Sequence, residues 1–471
     1  MPVRWTARDS AAAPRLDFEN RFKYNSSWTP SSATRTTSFI LSNMAEQRKT
    51  LIVGAGCFGL STALALLKRG WTDVTVIDRA TTLPAPDGAS NDLNRIVRTS
   101  YSDPFYSQLA LDAICAWKTR DEWHDAYHES GVLVLGPPDS SADYRHKAYL
   151  HDLEMGLRVV PLDTHAALCE AFPPQVHLGS FWNYTGYLNR DGGWANAGQG
   201  VSILMNQVTA LNGKIVVGKN VVELIREGQD LKTTGVRCSD GTVFEGLDLV
   251  IIATGSWTGS AFPDVPTGKI FEATGQCIAM VQLTPEEADA YRESPVVLDF
   301  ENGYYVFPPN EQNIVKMAVH TTGYIQSLGA QKISTPRTIT SDPETGLLIP
   351  KVNVKELRDG LRAVYPTLAE KPFIATRMCW YNDSFDGDWV IGYHPESEKS
   401  LMFATAGSGH AYKFLPVIGR LVADAIEGKL SPDLVAKFAV DRTPNQTDES
   451  RSNLAPVELD LSQLCTPKDL Q

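Results

Sequence analysis

The sequence of 471 residues has no apolar run near the roughly 20 residues that a bilayer-spanning helix requires. It has no C-x-x-C pair. Its seven cysteines, at 57, 115, 169, 238, 277, 379 and 465, are scattered and odd in number, which argues against a disulfide framework and a zinc site. A reducing, cytoplasmic setting is the expectation, with no metal. There is no Lys/Arg cluster to set against a net charge of -12, and a field of that sign repels phosphate backbones and anionic lipid. Neither nucleic acid nor membrane is expected as a partner. No internal repeat is visible, and the closing KDLQ matches no peroxisomal or retention address.

What is present is 43% hydrophobic and 21% charged, with 10 Trp and 16 Tyr, the balance of a globular protein with much apolar area to bury. The length predicts two domains, although interleaving defeats division by counting. Residues 1–47 are rich in Ser, Thr and Arg, hold Asp9, Asp17 and Glu19, and lack a signal core. They read as a disordered extension, or as text upstream of a true start at Met44. Residues 441–471 read as a mobile tail.

From Lys49 the text runs TLIVGAG, CFGLSTALALLKRG, DVTVID: a continuous apolar strand, a helix of 3.6-residue period ending on Gly70, and a second strand, hence a βαβ unit. Similar pieces return near 220 to 258 and near 400 to 427. The sequence therefore predicts an α/β protein in which 48–104, 201–261 and 371–440 form a discontinuous Rossmann-like nucleotide domain. The stretches 105–200 and 262–370, with alternating strands such as NGYYVFP and NIVKMAVH, form an interleaved, sheet-rich α+β substrate domain.

Gly54, Gly56 and Gly59 fit G-x-G-x-x-G, and Asp78 closes the next strand. The first glycine permits the turn, the second lets a pyrophosphate approach the backbone, and the third lets helix and strand pack closely; Asp78 would bind ribose hydroxyls. An acid there disfavours the 2′-phosphate of NADP. The loop alone does not separate NAD from FAD, but the later DLVIIATGSWTG, a buried strand ending in Ala-Thr-Gly, tilts the choice to FAD in a glutathione-reductase-type domain. On its own text, Cys379 in MCWYN reads as core filling, and strand alternation leaves the face of Lys316 undetermined.

Taken in order, LIVGAGCFGLSTALAL, NDLNRIVRTSY, NIVKMAVHTTG, MCWYNDSFDGDWVIGYHP and ATAGSGHAYKFLPVIG resemble the FAD-dependent amine oxidases of the D-amino-acid-oxidase fold. The resemblance is to the branch of monomeric sarcosine oxidase, L-pipecolate oxidase, fungal saccharopine oxidase and fructosyl-amino-acid oxidase. It covers residues 50 to 420, and its last two motifs are specific to the branch. It implies a monomeric flavoprotein with FAD covalently held by Cys379, the cysteine of the C-x-Y motif. It implies that Lys316 speeds oxygen reduction, that Arg95 and His320 lie at the flavin, and that Lys413 and Arg98 hold a substrate carboxylate beside Tyr305 and Tyr381. Lys413 also counts with the cofactor residues, as do Asn94, Gly409 and Val222, the last through backbone contact with adenine.

The activity so implied is oxidation of the C–N bond of a secondary-amine amino acid (saccharopine, pipecolate, sarcosine or similar) to an imine, with O2 reduced to H2O2. Two alternatives stay open: a biosynthetic oxidase of secondary metabolism whose imine is trapped by ring closure, and a fructosyl-amino-acid oxidase, which the text around residues 85 to 105 makes less expected. An NAD-linked dehydrogenase and a flavin-binding protein without turnover are the rivals from other classes.

Overall fold

The computed structural model describes residues 48–137, 142–180, 184–228, 231–265, 270–443 and 455–471. The expected disordered extension over 1–47 lies outside them. Two main sheets organise the chain. The first has six strands in the order Val390–Tyr393, Leu401–Thr405, Leu249–Ile252, Thr50–Val53, Val74–Ile77, Lys214–Val216. All pair in parallel except Val390–Tyr393, which turns back against Leu401–Thr405.

Thr50–Val53, Leu249–Ile252 and Leu401–Thr405 are buried throughout, because both faces are covered and period-2 alternation sends successive apolar side chains to opposite sides. Ile52, Ile251 and Met402 pack with the helices Cys57–Lys68, Ala197–Ala210 and Ile418–Ile426. Leu51, Val250 and Phe403 pack on the other side with Val221, Val236 and Cys238 of a small three-stranded sheet. Gly59 explains how tightly the first helix sits: a Cβ there would lie 1.9 Å from the Gly54 carbonyl oxygen.

The second sheet has ten strands. Its centre is the long strand Phe271–Gln282, paired antiparallel with Ile314–Val319 and with Phe373–Ser384. The helix Lys351–Val364 closes one face through Val354, Leu357, Leu361 and Val364, spaced three and four apart.

Three expectations about boundaries are corrected. Phe373–Ser384, which the sequence gives to the nucleotide segment 371–440, belongs to the second sheet, with Cys379 opposite Gln276. Its alternation feeds two apolar clusters: Met378 and Trp380 enter one, Cys379 and Tyr381 the other. Pro104–Trp117, expected in the substrate domain, buries Ala110, Ala113, Ile114 and Trp117 in the core of the first sheet. The tail expected to be mobile is built in over 455–471: Val457 pairs with Tyr324, the Leu470 carbonyl accepts a hydrogen bond from Phe373 N at 2.8 Å, and Cys465 is buried. The polar composition of that segment hides the few apolar side chains, Leu459, Leu464 and Leu470, that fasten it to the second sheet.

Candidate active site

The carboxyl ends of the parallel strands open into a cavity of about 780 Å³, lined among others by Gly54, Gly56, Asp78, Val222, Ala253, Thr254 and Gly407. Ligands of open parallel sheets sit at this edge. Gly56 caps the helix Cys57–Lys68 without a side chain, leaving amide donors at the positive end of a helix dipole for an anion. Asp78 accepts one backbone hydrogen bond on each oxygen, from Ala55 N and Ala80 N, both at 2.8 Å. Each oxygen keeps a lone pair for a hydroxyl. Val222 is half exposed at the rim. Gly59 positions the helix rather than lining the cavity.

A second cavity of about 390 Å³ adjoins the first, and the two share Arg95, Tyr381, Gly409 and Tyr412 as walls. Arg98, Tyr101, Lys147, Tyr305, His320, His410 and Lys413 also line it. Gly409 has φ +72, and a Cβ on it would lie 2.5 Å from the Tyr381 ring and 2.9 Å from His320 Cε1. Only glycine allows both rings to stand at this junction. Lys413 Nζ donates to Tyr101 Oη at 2.6 Å and to the His410 carbonyl at 2.7 Å. The Arg98 guanidinium lies 4.6 Å from the centre of the Tyr101 ring and donates to the Ser100 carbonyl. Neither cation forms an ion pair among the described residues.

Behind the shared wall lies a buried charge cluster. Asp92 Oδ2 is 2.8 Å from Lys316 Nζ and 2.7 Å from Arg95 Nη1. Lys316 also donates to the Asn94 carbonyl at 2.7 Å, and Arg95 Nη2 donates to Cys379 Sγ at 3.1 Å. Burial alone would raise the Asp92 carboxyl, but Arg95, Lys316 and Arg377 together hold it below the usual carboxylate range. Burial brings Lys316 down to about 8, with Asp92 opposing the fall and Arg95 adding to it. The Asn94 side-chain amide is fully buried, and among the described residues neither its nitrogen nor its oxygen has a hydrogen-bond partner.

The structure thus gathers most residues singled out in the sequence. Arg95, Arg98, Tyr305, Tyr381, His320, Gly409 and Lys413 stand around the smaller cavity; Gly54, Gly56, Asp78 and Val222 stand around the larger. Lys316, Cys379 and Asn94 lie just behind the walls, joined to them through Arg95. Lys413 sits in a short turn over Tyr412–Phe414, and the next helix begins at Ile418. Sequence reasoning missed Asp92, Tyr101 and His410. The spacing of Asp92 three residues before Arg95 was the available signal for the first. Among the described residues no cluster could hold a metal ion, and no helix is long and apolar enough to cross a membrane.

These features fit FAD: a glycine-turn helix end for the pyrophosphate, a carboxylate with spare lone pairs for ribose, and an unbonded buried amide close to the junction of two cavities. The chain is 29% identical over 403 residues to L-saccharopine oxidase of Schizosaccharomyces pombe, with 82% of this chain and 91% of that protein covered. It is 24% identical to N-methyl-L-tryptophan oxidase of Escherichia coli, covering 83% and 98%. Among solved structures it superposes on fructosyl amine:oxygen oxidoreductase (Amadoriase I) of Aspergillus fumigatus with a TM-score of 0.75 at 28% identity, covering 89% and 97%. The family model described as DAO, FAD dependent oxidoreductase, matches residues 49–425. With that match spanning the first sheet, all but one strand of the second and both cavities, the chain belongs to the DAO family of FAD-dependent oxidoreductases.

Proposed function

We propose that the protein is an oxidase of amino acids bearing a secondary amine, converting the C–N bond to an imine while O2 becomes H2O2. The observation that carries this reading is the smaller cavity, which shares a wall with the larger one and is lined by two buried cations, Arg98 and Lys413, that form no ion pair among the described residues. Such cations suit a substrate carboxylate, since a carboxylate leaving water requires charged donors. Bound FAD supplies the two-electron acceptor that oxygen regenerates.

The protein's own contribution is placement and charge. Lys413 and Arg98 fix the carboxylate and thereby the amine-bearing carbon relative to the junction; a displacement of about 1 Å there costs on the order of a hundredfold in rate. Tyr305, Tyr381 and His320 shape the wall. Lys316, held by Asp92, keeps a positive charge in a water-excluded position, where it favours developing negative charge on oxygen. Arg95 orients Cys379, to which the flavin is joined covalently in this reading. Gly54, Gly56, Asp78, Asn94, Val222 and Gly409 complete the cofactor contacts.

The volume of about 390 Å³ lies within the range of about 300–1,000 Å³ typical of sites for drug-sized ligands. That leaves room for a nitrogen substituent larger than methyl, favouring saccharopine-like substrates over sarcosine. Peroxide release from a panel of N-substituted amino acids tests the proposal. Turnover of a carboxylate-bearing secondary amine, with bulky N-substituents preferred, supports it; peroxide from none of the panel refutes it.

A further inference from the structure

Lys413 is 5% exposed, and burial, reinforced by the like charge of Arg98, presses its ammonium well below the ordinary lysine range. Keeping a charge there requires strong acceptors. One is Tyr101 Oη at 2.6 Å, and that phenol has a further partner: it lies 3.1 Å from His410 Nδ1. The opposite ring nitrogen, Nε2, is 2.9 Å from the Gly387 carbonyl.

A carbonyl only accepts, so Nε2 carries the hydrogen; in the neutral imidazole Nδ1 is then an acceptor. The Tyr101 hydroxyl hydrogen therefore points at His410, which leaves the oxygen lone pairs for Lys413. A hydroxyl that donates in this way becomes a better acceptor through mutual polarisation. The imidazole is fixed in place by Tyr106, edge-on at 5.0 Å, and by Trp389, stacked at 5.4 Å. Its own carbonyl grips the same ammonium.

We propose that Tyr101 and His410 are positioning residues for Lys413: a one-way hydrogen-bonded file from Lys413 through Tyr101 and His410 to the Gly387 carbonyl holds the ammonium charged and aimed into the substrate cavity. This rests on the reading of Lys413 as the carboxylate anchor and extends it to two residues that act through it. No proton is transferred and no bond changes. The file sets how strongly the enzyme prefers a carboxylate over a neutral group of the same shape.

The test uses FAD-loaded enzyme titrated with N-acetylglycine and with N-acetylglycinamide, binding being read from the perturbation of the flavin absorbance. The quantity of interest is the ratio of the two affinities, which a merely structural role would not move selectively. Tyr101→Phe and His410→Leu are expected to reduce the preference for the carboxylate about tenfold, the size of one hydrogen bond to a charged group. His410→Asn, whose amide oxygen replaces Nδ1 as acceptor, is expected to restore most of it. Tyr101→Phe removes a single oxygen and keeps the test available if the histidine variants do not fold. An unchanged ratio in Tyr101→Phe and His410→Leu, together with its loss in Lys413→Met, overturns the proposal while leaving the anchor standing. A ratio unchanged in Lys413→Met overturns the anchor and the proposal with it.

Discussion

Lys316 Nζ lies 2.8 Å from Asp92 Oδ2, although 224 positions separate the two residues, and both side chains are almost wholly withdrawn from solvent. The pair ties the second sheet to the segment that carries Arg95, on the short strand Arg95–Val97, and Arg98 just after it. Arg95 shares the same carboxylate oxygen, so one aspartate balances two cations, Lys316 fully buried and Arg95 largely so.

Asp92→Ala is expected to destabilise the protein by about 3–5 kcal/mol, because it leaves those cations facing each other without compensation. The urea midpoint checks this. The carboxyl is held below its ordinary value, so its contribution is present above the unfolded value of about 3.9 and is lost as pH falls below it. The variant's stability should therefore fall less steeply on acidification than that of the wild type.

Lys316→Met is expected to slow reoxidation by O2 by about a hundredfold, the typical size of one lost charge-stabilising donor, and to slow reduction by substrate far less. Rapid mixing measures the two halves separately; equal slowing contradicts the assigned role. The wild-type reoxidation rate should also decline as pH rises through about 8, where Lys316 loses its proton. That inflection should be missing in the variant.

Gly409→Ala places a methyl group 2.5 Å from the Tyr381 ring on a backbone at φ +72. Strain of about 1–3 kcal/mol should lower the melting temperature modestly. The displaced ring should lower kcat/KM by more than that loss alone accounts for. Steady-state kinetics on the folded variant separates the two effects.

Cys379→Ser is expected to bind FAD reversibly. Acid precipitation of the wild type should give a yellow pellet, and the variant a white pellet under a yellow supernatant. A white pellet from wild-type holoprotein contradicts a covalent bond at Sγ.

The first sheet was legible because its strands announce themselves: LIV and LVII are apolar without interruption, and a glycine turn, a helix and Asp78 follow the first of them at fixed distances. The path of Phe373–Ser384 was not legible. Alternation shows that a strand has two faces but says nothing of which neighbour it pairs with, and the pairing with Phe271–Gln282 is decided about a hundred residues away. Lys316 illustrates the same limit. Its strand was evident from NIVKMAVH, yet its burial depends on Asp92, whose own text, NDLNR, reads as a polar turn. Tyr101 and His410 stand three residues from Arg98 and Lys413 respectively in the sequence, and only the fold reveals that they touch each other.

The most direct measurement of the central claim is anaerobic mixing of the yellow holoprotein with a carboxylate-bearing secondary amine, followed by admission of oxygen. The account predicts bleaching of the flavin by the amine, then recovery of the colour as H2O2 appears. A flavin that no such amine bleaches, or one whose colour oxygen does not restore, contradicts it.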